Sequence, residues 1–315
     1  MKIGMIDLDN KNAKNVFPNL ALMKLSAYHK SIGDVIEWYD QLFGGKYDIV
    51  YVSKVFSFSS DYEYFINADR VIYGGSGFAI KTIEGAEIYE KYNDISLPSY
   101  IEHIYPDYSL YNITDHAYGF LSRGCPRNCS FCHVAKMQGL KSTKVSDLSE
   151  FWNGQKNIVL LDPNITACND KNSLFEQLID SKAYVDFTQG LDMRLMTDET
   201  AEYIKRIKTK QLHFAWDNFD DMEILLPKFE KFKSITGYDR RKLVVYVLVG
   251  KEERFITEHD LKRIHILREL GYYPYVMIYN KVDLPKGHEL KKLQRWVNNR
   301  FIWESCRTFS EYLKG

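Results

Sequence analysis

The 315-residue sequence lacks a net charge and a long apolar run, and each absence excludes a class of protein. Its 42 Lys and Arg residues balance 42 Asp and Glu residues, which argues against bulk charge holding it on nucleic acid or anionic lipid and leaves only a local basic groove for that role. No stretch approaches the roughly 18 apolar residues of a membrane span. The first residues show no signal-peptide core. We therefore expect a soluble, cytoplasmic protein that binds no membrane.

Cysteine is scarce, and its placement is uneven. Three of the five cysteines fall within eight residues, at Cys125, Cys129 and Cys132, whereas Cys168 and Cys306 stand alone. A chain of this length buries enough surface to fold without a disulfide scaffold. An odd, clustered set in a chain with no export signal indicates metal binding under reducing conditions.

What the sequence does contain is an alternation of short apolar runs and helical patterns. The predicted strands are 2–6, 49–53, 71–74, 118–121, 158–161, 185–188, 212–216, 243–249 and 275–279. These runs are apolar rather than alternating, as is typical of parallel strands buried on both faces. Strands alternating with helices predict an α/β protein with a mainly parallel sheet.

Helix signals support the same pattern. A first helix with Leu20, Met23 and Ala27 on one face is predicted to end near Gly33. Thr197 is predicted to cap one later helix and Thr257 another, the latter stopping at Gly271.

Proline and tyrosine interrupt the pattern at 97–116, and we place the domain boundary there. The prediction is a small Rossmann-like domain at 1–96, a linker at 97–117, a partial (βα)6 barrel of TIM type at 118–286 and a helical tail at 287–315. About six strand–helix pairs are too few for a complete eightfold barrel. The tyrosines of the linker are expected to pack the two domains together.

The cysteine cluster has the spacing C-x3-C-x2-C. Three thiolates from one loop can hold three irons of a cubane cluster and leave the fourth iron without a protein ligand. Metal catalysis needs such an open position. A structural zinc site usually takes four ligands in two pairs, whereas the remaining thiols are single, and His133 is poorly placed beside Cys132.

This segment resembles the cluster motif of the radical S-adenosylmethionine (radical SAM) superfamily. The match rests on the spacing, on Phe131 before the third cysteine, on Arg123 and Gly124 before the first, and on the position after a strand. The resemblance covers about residues 118 to 283.

The resemblance implies a [4Fe-4S] cluster on Cys125, Cys129 and Cys132, with SAM bound to the fourth iron and its adenine beside Phe131. It also implies reductive cleavage of SAM to a 5′-deoxyadenosyl radical that abstracts hydrogen from a substrate. The electron would come from a donor such as flavodoxin or ferredoxin.

Four further residues match the family's SAM pocket by their place after predicted strands. Asp162 is the candidate for the amino group, and Arg194 for the carboxylate, since its forked donors suit that geometry. Asp217 and Gly250 follow the next two strands, where barrel-type sheets place their sites. The alternatives are a surface or interdomain ion pair for Arg194 and a turn glycine for Gly250.

The N-terminal region resembles the cobalamin-binding domain that precedes many radical SAM cores. The lower-ligand pattern Asp-x-His-x-x-Gly is missing, because Asp7-Leu8-Asp9-Asn10 contains no His. We therefore favour a domain without cobalamin. The glycine run at 74–77 is either a phosphate nest or a tight connection.

Segments 75–82 and 280–283 look like the nucleotide-binding motifs of a GTPase. This interpretation fails at Ile80, which occupies a position where a phosphate loop needs glycine.

The sequence thus predicts a radical SAM enzyme with an unidentified substrate, with a small molecule favoured over nucleic acid or peptide. The alternatives are a relative that keeps the cluster as a structural or redox element, and a zinc- or nucleotide-binding module. Among the histidines, His213 is the best catalytic candidate.

Overall fold

A computed structural model describes residues 1–10, 17–83 and 86–314, apart from the side chain of Ala86. The strands are β1 Lys2–Asp7, β2 Val35–Trp38, β3 Tyr47–Ser53, β4 Ala68–Gly74, β5 Ile80–Ile83, β6 Ala86–Tyr89, β7 His116–Gly119, β8 Ser122–Arg123, β9 Thr143–Lys144, β10 Asn157–Leu160, β11 Tyr184–Phe187, β12 Leu212–Ala215, β13 Leu243–Val249 and β14 Tyr273–Ile278.

The helices lie between and after these strands. They are α1 Leu20–Ser31, α2 Ser76–Ala79, α3 Ser99–Glu102, α4 Val134–Gln138, α5 Lys171–Ser181, α6 Asp198–Arg206, α7 Met222–Thr236, α8 Glu258–Leu270, α9 Glu289–Asn298, α10 Arg300–Ser305 and α11 Phe309–Lys314. The α/β class is as predicted.

The chain packs as two compact units. The first comprises Met1–Phe120, Gly124–Leu140 and Val145–Lys156, and the second comprises Leu121–Arg123, Lys141–Lys144 and the chain from Asn157 onward.

The first unit is built on a four-stranded parallel sheet with the order β2-β1-β3-β4. Alternate residues of a strand point to opposite faces, and each face has its own core. One core contains Ile3 and Met5 with Leu22 of α1, and the other contains Ile6 with Val50 and Val52 of β3.

The tyrosine-rich segment makes hydrogen bonds inside this first unit. The Tyr108 hydroxyl donates to the Phe151 carbonyl at 2.6 Å and accepts from the Tyr118 amide at 2.9 Å. The Tyr111 hydroxyl donates to the Asp7 carboxylate at 2.6 Å. The domain boundary at 97–117 stays a prediction.

The second unit carries two parallel strand groups. Strand β10 pairs with β11, and β12 pairs with β13, which pairs with β14. Helix side chains cover one face of the second group, where Phe214 of β12 packs against Phe232 of α7 with ring centroids 5.2 Å apart.

Helix ends follow the predicted caps. Thr197 accepts a hydrogen bond from the Thr200 amide at 3.1 Å and begins α6. Thr257 forms a capping box with Asp260, and α8 ends at Gly271 in the left-handed region with φ 76°. The tail is helical as predicted and contains three helices, of which the second begins where the Asn299 side chain accepts from the Phe301 and Ile302 amides.

None of the helices in the described ranges combines the length and hydropathy that a bilayer-spanning segment requires.

Candidate active site

The cysteine loop lies in the first unit and is closed at its base by hydrogen bonds from two backbone amides. The Cys125 amide donates to the Gly139 carbonyl at 3.1 Å, and the Gly124 amide donates to the Gln138 side-chain oxygen at 3.3 Å. The Cys132 amide donates to the Cys129 carbonyl at 3.0 Å, so the second and third cysteines share one tight turn. All three cysteines are partly exposed, as is Phe131 in the same loop.

The donor set of this loop fits a cluster with three protein ligands. Thiolates are the ligands that iron–sulfur clusters use, and partial exposure leaves room for a further ligand. Within residues 1–10, 17–83 and 86–314, no three or more His, Cys, Asp or Glu side chains converge in a metal-binding arrangement. The ligand assignment to Cys125, Cys129 and Cys132 therefore stays a prediction.

His133, next to the loop, and Cys168, far from it in the chain, have surroundings unlike those of the three loop cysteines. His133 Nε2 lies 3.3 Å from a carboxylate oxygen of Glu87, so this ring faces an acid. Cys168 is fully buried in the second unit, and burial raises the pKa of its thiol. A buried thiol of raised pKa is chemically inert.

Asp162 follows β10 and is almost completely buried, with 4% of its surface exposed. Its carboxylate accepts from the Leu121 amide at 3.0 Å and from the Ser122 hydroxyl at 2.7 Å, and it also accepts from the Ser122 amide. Burial raises the pKa of Asp162 to about 6, although these hydrogen bonds oppose the increase. The structure therefore places Asp162 as an anchor of the segment that directly precedes the cysteine loop in the chain.

Arg194 lies between two carboxylates of the second unit. Its Nε donates to Asp192 at 2.8 Å, and its Nη1 donates to Asp221 at 2.9 Å. Asp192 also accepts from the Asn164 side-chain amide at 3.3 Å. This is an ion pair within one unit, and the guanidinium still has donors on Nη2 that these two contacts do not use.

Asp217 follows β12 and is positioned by a buried arginine of α8. Arg263 Nη1 donates to the Trp216 carbonyl at 2.7 Å and the Asp217 carbonyl at 2.6 Å. Its Nη2 donates to the Leu248 carbonyl at 3.0 Å and to Asp260 at 2.6 Å. Arg263 thus joins the ends of β12 and β13.

The carboxyl group of Asp217 has a raised pKa. Burial causes the increase, and the hydrogen bond from the Leu248 amide and the charges of Arg263 and Arg194 oppose it.

Gly250 ends β13 in the left-handed region with φ 73°. A Cβ there would lie 2.7 Å from Cδ1 of Leu290, and the Gly250 carbonyl accepts from Arg254 at 3.0 Å. The turn conformation and the close packing against Leu290 therefore account for the glycine at this position.

His213 lies on the face of β12 opposite the helices, in a row of polar and aromatic side chains. Its ring stacks on Tyr246 with centroids 5.3 Å apart and planes 2° apart, and Tyr246 meets Tyr275 edge-on at 5.7 Å. Burial lowers the pKa of His213, whereas Asp186 raises it. His213 Nδ1 is buried and has no hydrogen-bond partner among the described residues, so a neutral ring is favoured at pH 7.

In the first unit, the segments that follow strands β1 and β3 are joined by hydrogen bonds. Asp9 accepts from the Val55 amide at 2.6 Å and the Phe56 amide at 3.2 Å. Gly75 has φ 101°, and a Cβ there would lie 2.3 Å from the Lys54 carbonyl oxygen. The glycine run is thus a tight connection packed on backbone, and Ile80 begins strand β5 rather than a phosphate loop.

Sequence reasoning missed three functional candidates, namely Asp192, Asp221 and Arg263. The Asp260–Arg263 pair could have been predicted from the sequence, because side chains three residues apart on a helix are neighbours. Asp221 had no such signal, since it reaches Arg194 from a separate loop, whereas Asp192 lies only two residues before Arg194.

Solved structures share this fold. The radical S-adenosylmethionine methyltransferase TsrM from Kitasatospora setae, with cobalamin and a [4Fe-4S] cluster bound, aligns with a TM-score of 0.59 at 10% identity over 88% of this chain and 74% of that chain. A second structure of TsrM, with its tryptophan substrate and the SAM analogue aza-SAM, gives a TM-score of 0.58 at 10% identity over 88% of this chain and 72% of that chain.

The sequence matches no protein-family model, and no curated protein matches it. The structural likeness shows that the chain has the fold of a radical SAM superfamily enzyme. It confirms the predicted α/β class and the resemblance to the radical SAM fold, whereas the partial barrel and the Rossmann-like domain stay predictions.

Proposed function

We propose that this protein is a radical SAM enzyme that cleaves SAM reductively and abstracts hydrogen from a substrate. One observation carries the proposal: a C-x3-C-x2-C loop closed at its base, in a chain with the fold of a radical SAM methyltransferase. The cluster, when bound, supplies one electron to the SAM sulfonium, which releases methionine and a 5′-deoxyadenosyl radical.

The chain's own residues have distinct roles in this proposal. Cys125, Cys129 and Cys132 hold the cluster, and Phe131 lies beside the adenine. Asp162 fixes the segment before the loop through its hydrogen bonds to Leu121 and Ser122. Because Asp162 is buried and its carboxylate is already hydrogen-bonded, we assign it this positioning role instead of a direct contact with SAM.

Arg194 is the candidate for the SAM carboxylate. The two acids that hold it at 2.8 and 2.9 Å orient the guanidinium, and its remaining donors suit a carboxylate. Asp217 and Gly250 shape the same strand ends of the second unit, which we infer to be a partial barrel.

We propose that the first unit works without cobalamin. TsrM binds cobalamin, which makes the question worth testing. In this chain, however, Asp7 and Asp9 lie where the lower-ligand loop begins, and their carboxylates bond to Tyr111, Asn10 and the Val55 amide. After incubation with hydroxocobalamin and gel filtration, we expect no cobalamin absorbance with the protein, and an equimolar absorbance would overturn this part.

The main experiment is anaerobic purification followed by iron and sulfide analysis, then addition of SAM and dithionite. We expect about four irons per chain, the content of a cubane cluster, and formation of 5′-deoxyadenosine. Zinc in place of iron would overturn the proposal. So would a complete cluster that produces no 5′-deoxyadenosine with any of a panel of substrates.

A matched pair of variants tests the ligands. Cys129→Ala should abolish cluster retention, whereas Cys306→Ala, at a partly exposed cysteine of the second unit, should retain it. An intact cluster in the Cys129 variant would show that the ligands are different.

A further inference from the structure

The balanced charge of the whole chain conceals one strongly basic segment. Residues 281–300 contain six Lys and Arg residues and only two acids. The cations are Lys281, Lys286, Lys291, Lys292, Arg295 and Arg300, and the acids are Asp283 and Glu289. A local patch of this kind is what a neutral protein needs in order to bind a polyanion.

Part of this segment forms a groove beside β14. The groove has a volume of about 490 Å³ and is lined by Tyr275 of β14, by Lys281, and by Lys291 and Arg295 of α9. Side-chain amides complete the lining, and neither Asp283 nor Glu289 is among the described residues that form it. The groove is therefore shallow and open to solvent, and the charged side chains that line it are all cations.

The wall of the groove is held rigidly. Asn298 accepts from the Val276 amide at 2.8 Å and donates to the Val276 carbonyl at 2.9 Å, and Gln294 donates to the same carbonyl at 2.9 Å. The opposite face of α9 is buried through Leu290, Leu293, Trp296 and Val297. Lys291 and Arg295 lie one helical turn apart, about 6 Å along the axis, so α9 presents two cations at a fixed separation.

Tyr275 gives the groove an aromatic surface. Its side chain is 41% exposed although its ring meets Tyr246 edge-on with planes 79° apart. An exposed ring held by a neighbour is suited to stacking, because every nucleobase has a π-face.

We propose that this groove binds a single-stranded nucleic-acid segment, with phosphates on Lys281, Lys291 and Arg295 and a base stacked on Tyr275. Cations alone would also suit the acidic surface of an electron-carrier protein. The exposed aromatic side chain beside three cations favours an unpaired nucleotide strand, because proteins bind single strands by combining cations for the backbone with an aromatic surface on which bases stack. The inference goes beyond the proposed SAM chemistry and does not depend on it.

The test is fluorescence anisotropy of labelled ten-residue uridine and thymidine oligonucleotides with the full chain as purified, without SAM, over a range of salt concentrations. The variant Lys281→Gln/Arg295→Gln removes two groove cations. The control Lys286→Gln/Lys292→Gln removes two cations of the same segment that do not line the groove.

For the groove variant, we expect binding to weaken by about tenfold and the slope of log K against log salt to fall by roughly 1.4, about 0.7 for each lost phosphate contact on a single strand. The control should change the slope by less than about half of that. Tyr275→Leu should weaken binding by about tenfold with an unchanged slope, because stacking is not ionic.

The proposal is overturned by wild-type protein that does not bind either oligonucleotide, or by equal effects of the two double variants. It is also overturned if flavodoxin binds and the groove variant loses flavodoxin but not oligonucleotide. Absence of SAM cleavage would contradict the proposed function and leave this result untouched. Circular dichroism melting checks that all variants fold.

Discussion

The strand ends of the two units are stabilised by opposite kinds of polar group. In the first unit, the acid Asp9 accepts hydrogen bonds from the Val55 and Phe56 amides. In the second unit, Arg263 donates to the carbonyls of Trp216, Asp217 and Leu248. The acid at the first edge accepts from amides that follow the neighbouring strand β3, whereas Arg194 at the second edge keeps donors beyond its two carboxylates.

The difference shows that parallel strand ends do not by themselves make a ligand site. Ligands bind at the carboxyl ends of strands in α/β proteins, yet the polar groups of such an edge bind a ligand only if the loops do not already satisfy them. On this criterion the strand ends of the second unit are the better candidates for binding SAM under the proposed function, and four experiments test the contrast.

The largest effect, on the free energy of unfolding, is expected from replacing Arg263, the buried cation at the strand ends of the second unit. Arg263→Met leaves Asp260 and three carbonyls without their donor, so the free energy of unfolding should fall by about 3–5 kcal/mol. Urea denaturation measures it. Arg241→Met breaks an exposed pair with Asp239 and should cost less than about 1 kcal/mol. Similar losses in both variants would mean that Arg263 does not join the strand ends.

The second effect is a pH dependence caused by Asp162. Its folded pKa of about 6 lies above the ordinary 3.8, so the folded state holds the proton more tightly. The stability it contributes is complete below about pH 4 and is lost as the pH rises through 6. The expected loss is about 3 kcal/mol, at about 1.4 kcal/mol for each pH unit between the two pKa values.

Asp162→Asn should lack this decrease when urea denaturation is repeated from pH 4 to pH 7. The difference between wild type and variant isolates the group from other carboxyls. An identical pH profile in the variant would assign the decrease to another residue.

The third effect compares one glycine at each edge. Gly75→Ala places a Cβ against the Lys54 carbonyl in a conformation that glycine alone adopts readily, so we expect a loss of about 3 kcal/mol. Gly250→Ala makes its one close contact with the end of the Leu290 side chain and should cost about 1–2 kcal/mol. Thermal unfolding measures both, and the reverse order would show that the first edge is the more adaptable one.

The smallest effect concerns SAM. Arg194→Lys keeps the charge but loses the forked donors, so the Kd for SAM should rise about tenfold, which corresponds to about 1.4 kcal/mol. Equilibrium dialysis with the cluster-loaded protein measures it. Arg206→Lys, in an exposed pair with Glu176, is the control, and an equal change there would remove Arg194 from the site.

The sequence predicted much of the fold because its signals are local. Every predicted strand overlaps an observed one, and Thr197, Thr257 and Gly271 mark helix ends as expected. Strand β2 escaped prediction because it is a short edge strand with no fully buried residue. The division of the tail escaped because Asn299 acts as a cap inside an apolar pattern.

The site was less predictable because its contacts are not local. Phe131 and the cysteines form a readable motif, whereas Asp221 reaches Arg194 from a separate loop and Arg263 reaches the backbone of Asp217 from α8. The burial that raises the pKa of Asp162 depends on three-dimensional packing, which a strand-end position does not reveal.

The side-chain amides on α9 have a consequence for self-association. Strand β14 is the last of its group, and an unprotected edge strand is a template on which another chain can add a strand. Asn298 offers Val276 an acceptor and a donor as the peptide of a neighbouring strand would. The helix therefore protects this edge against cross-β aggregation, and disruption of α9 would expose it.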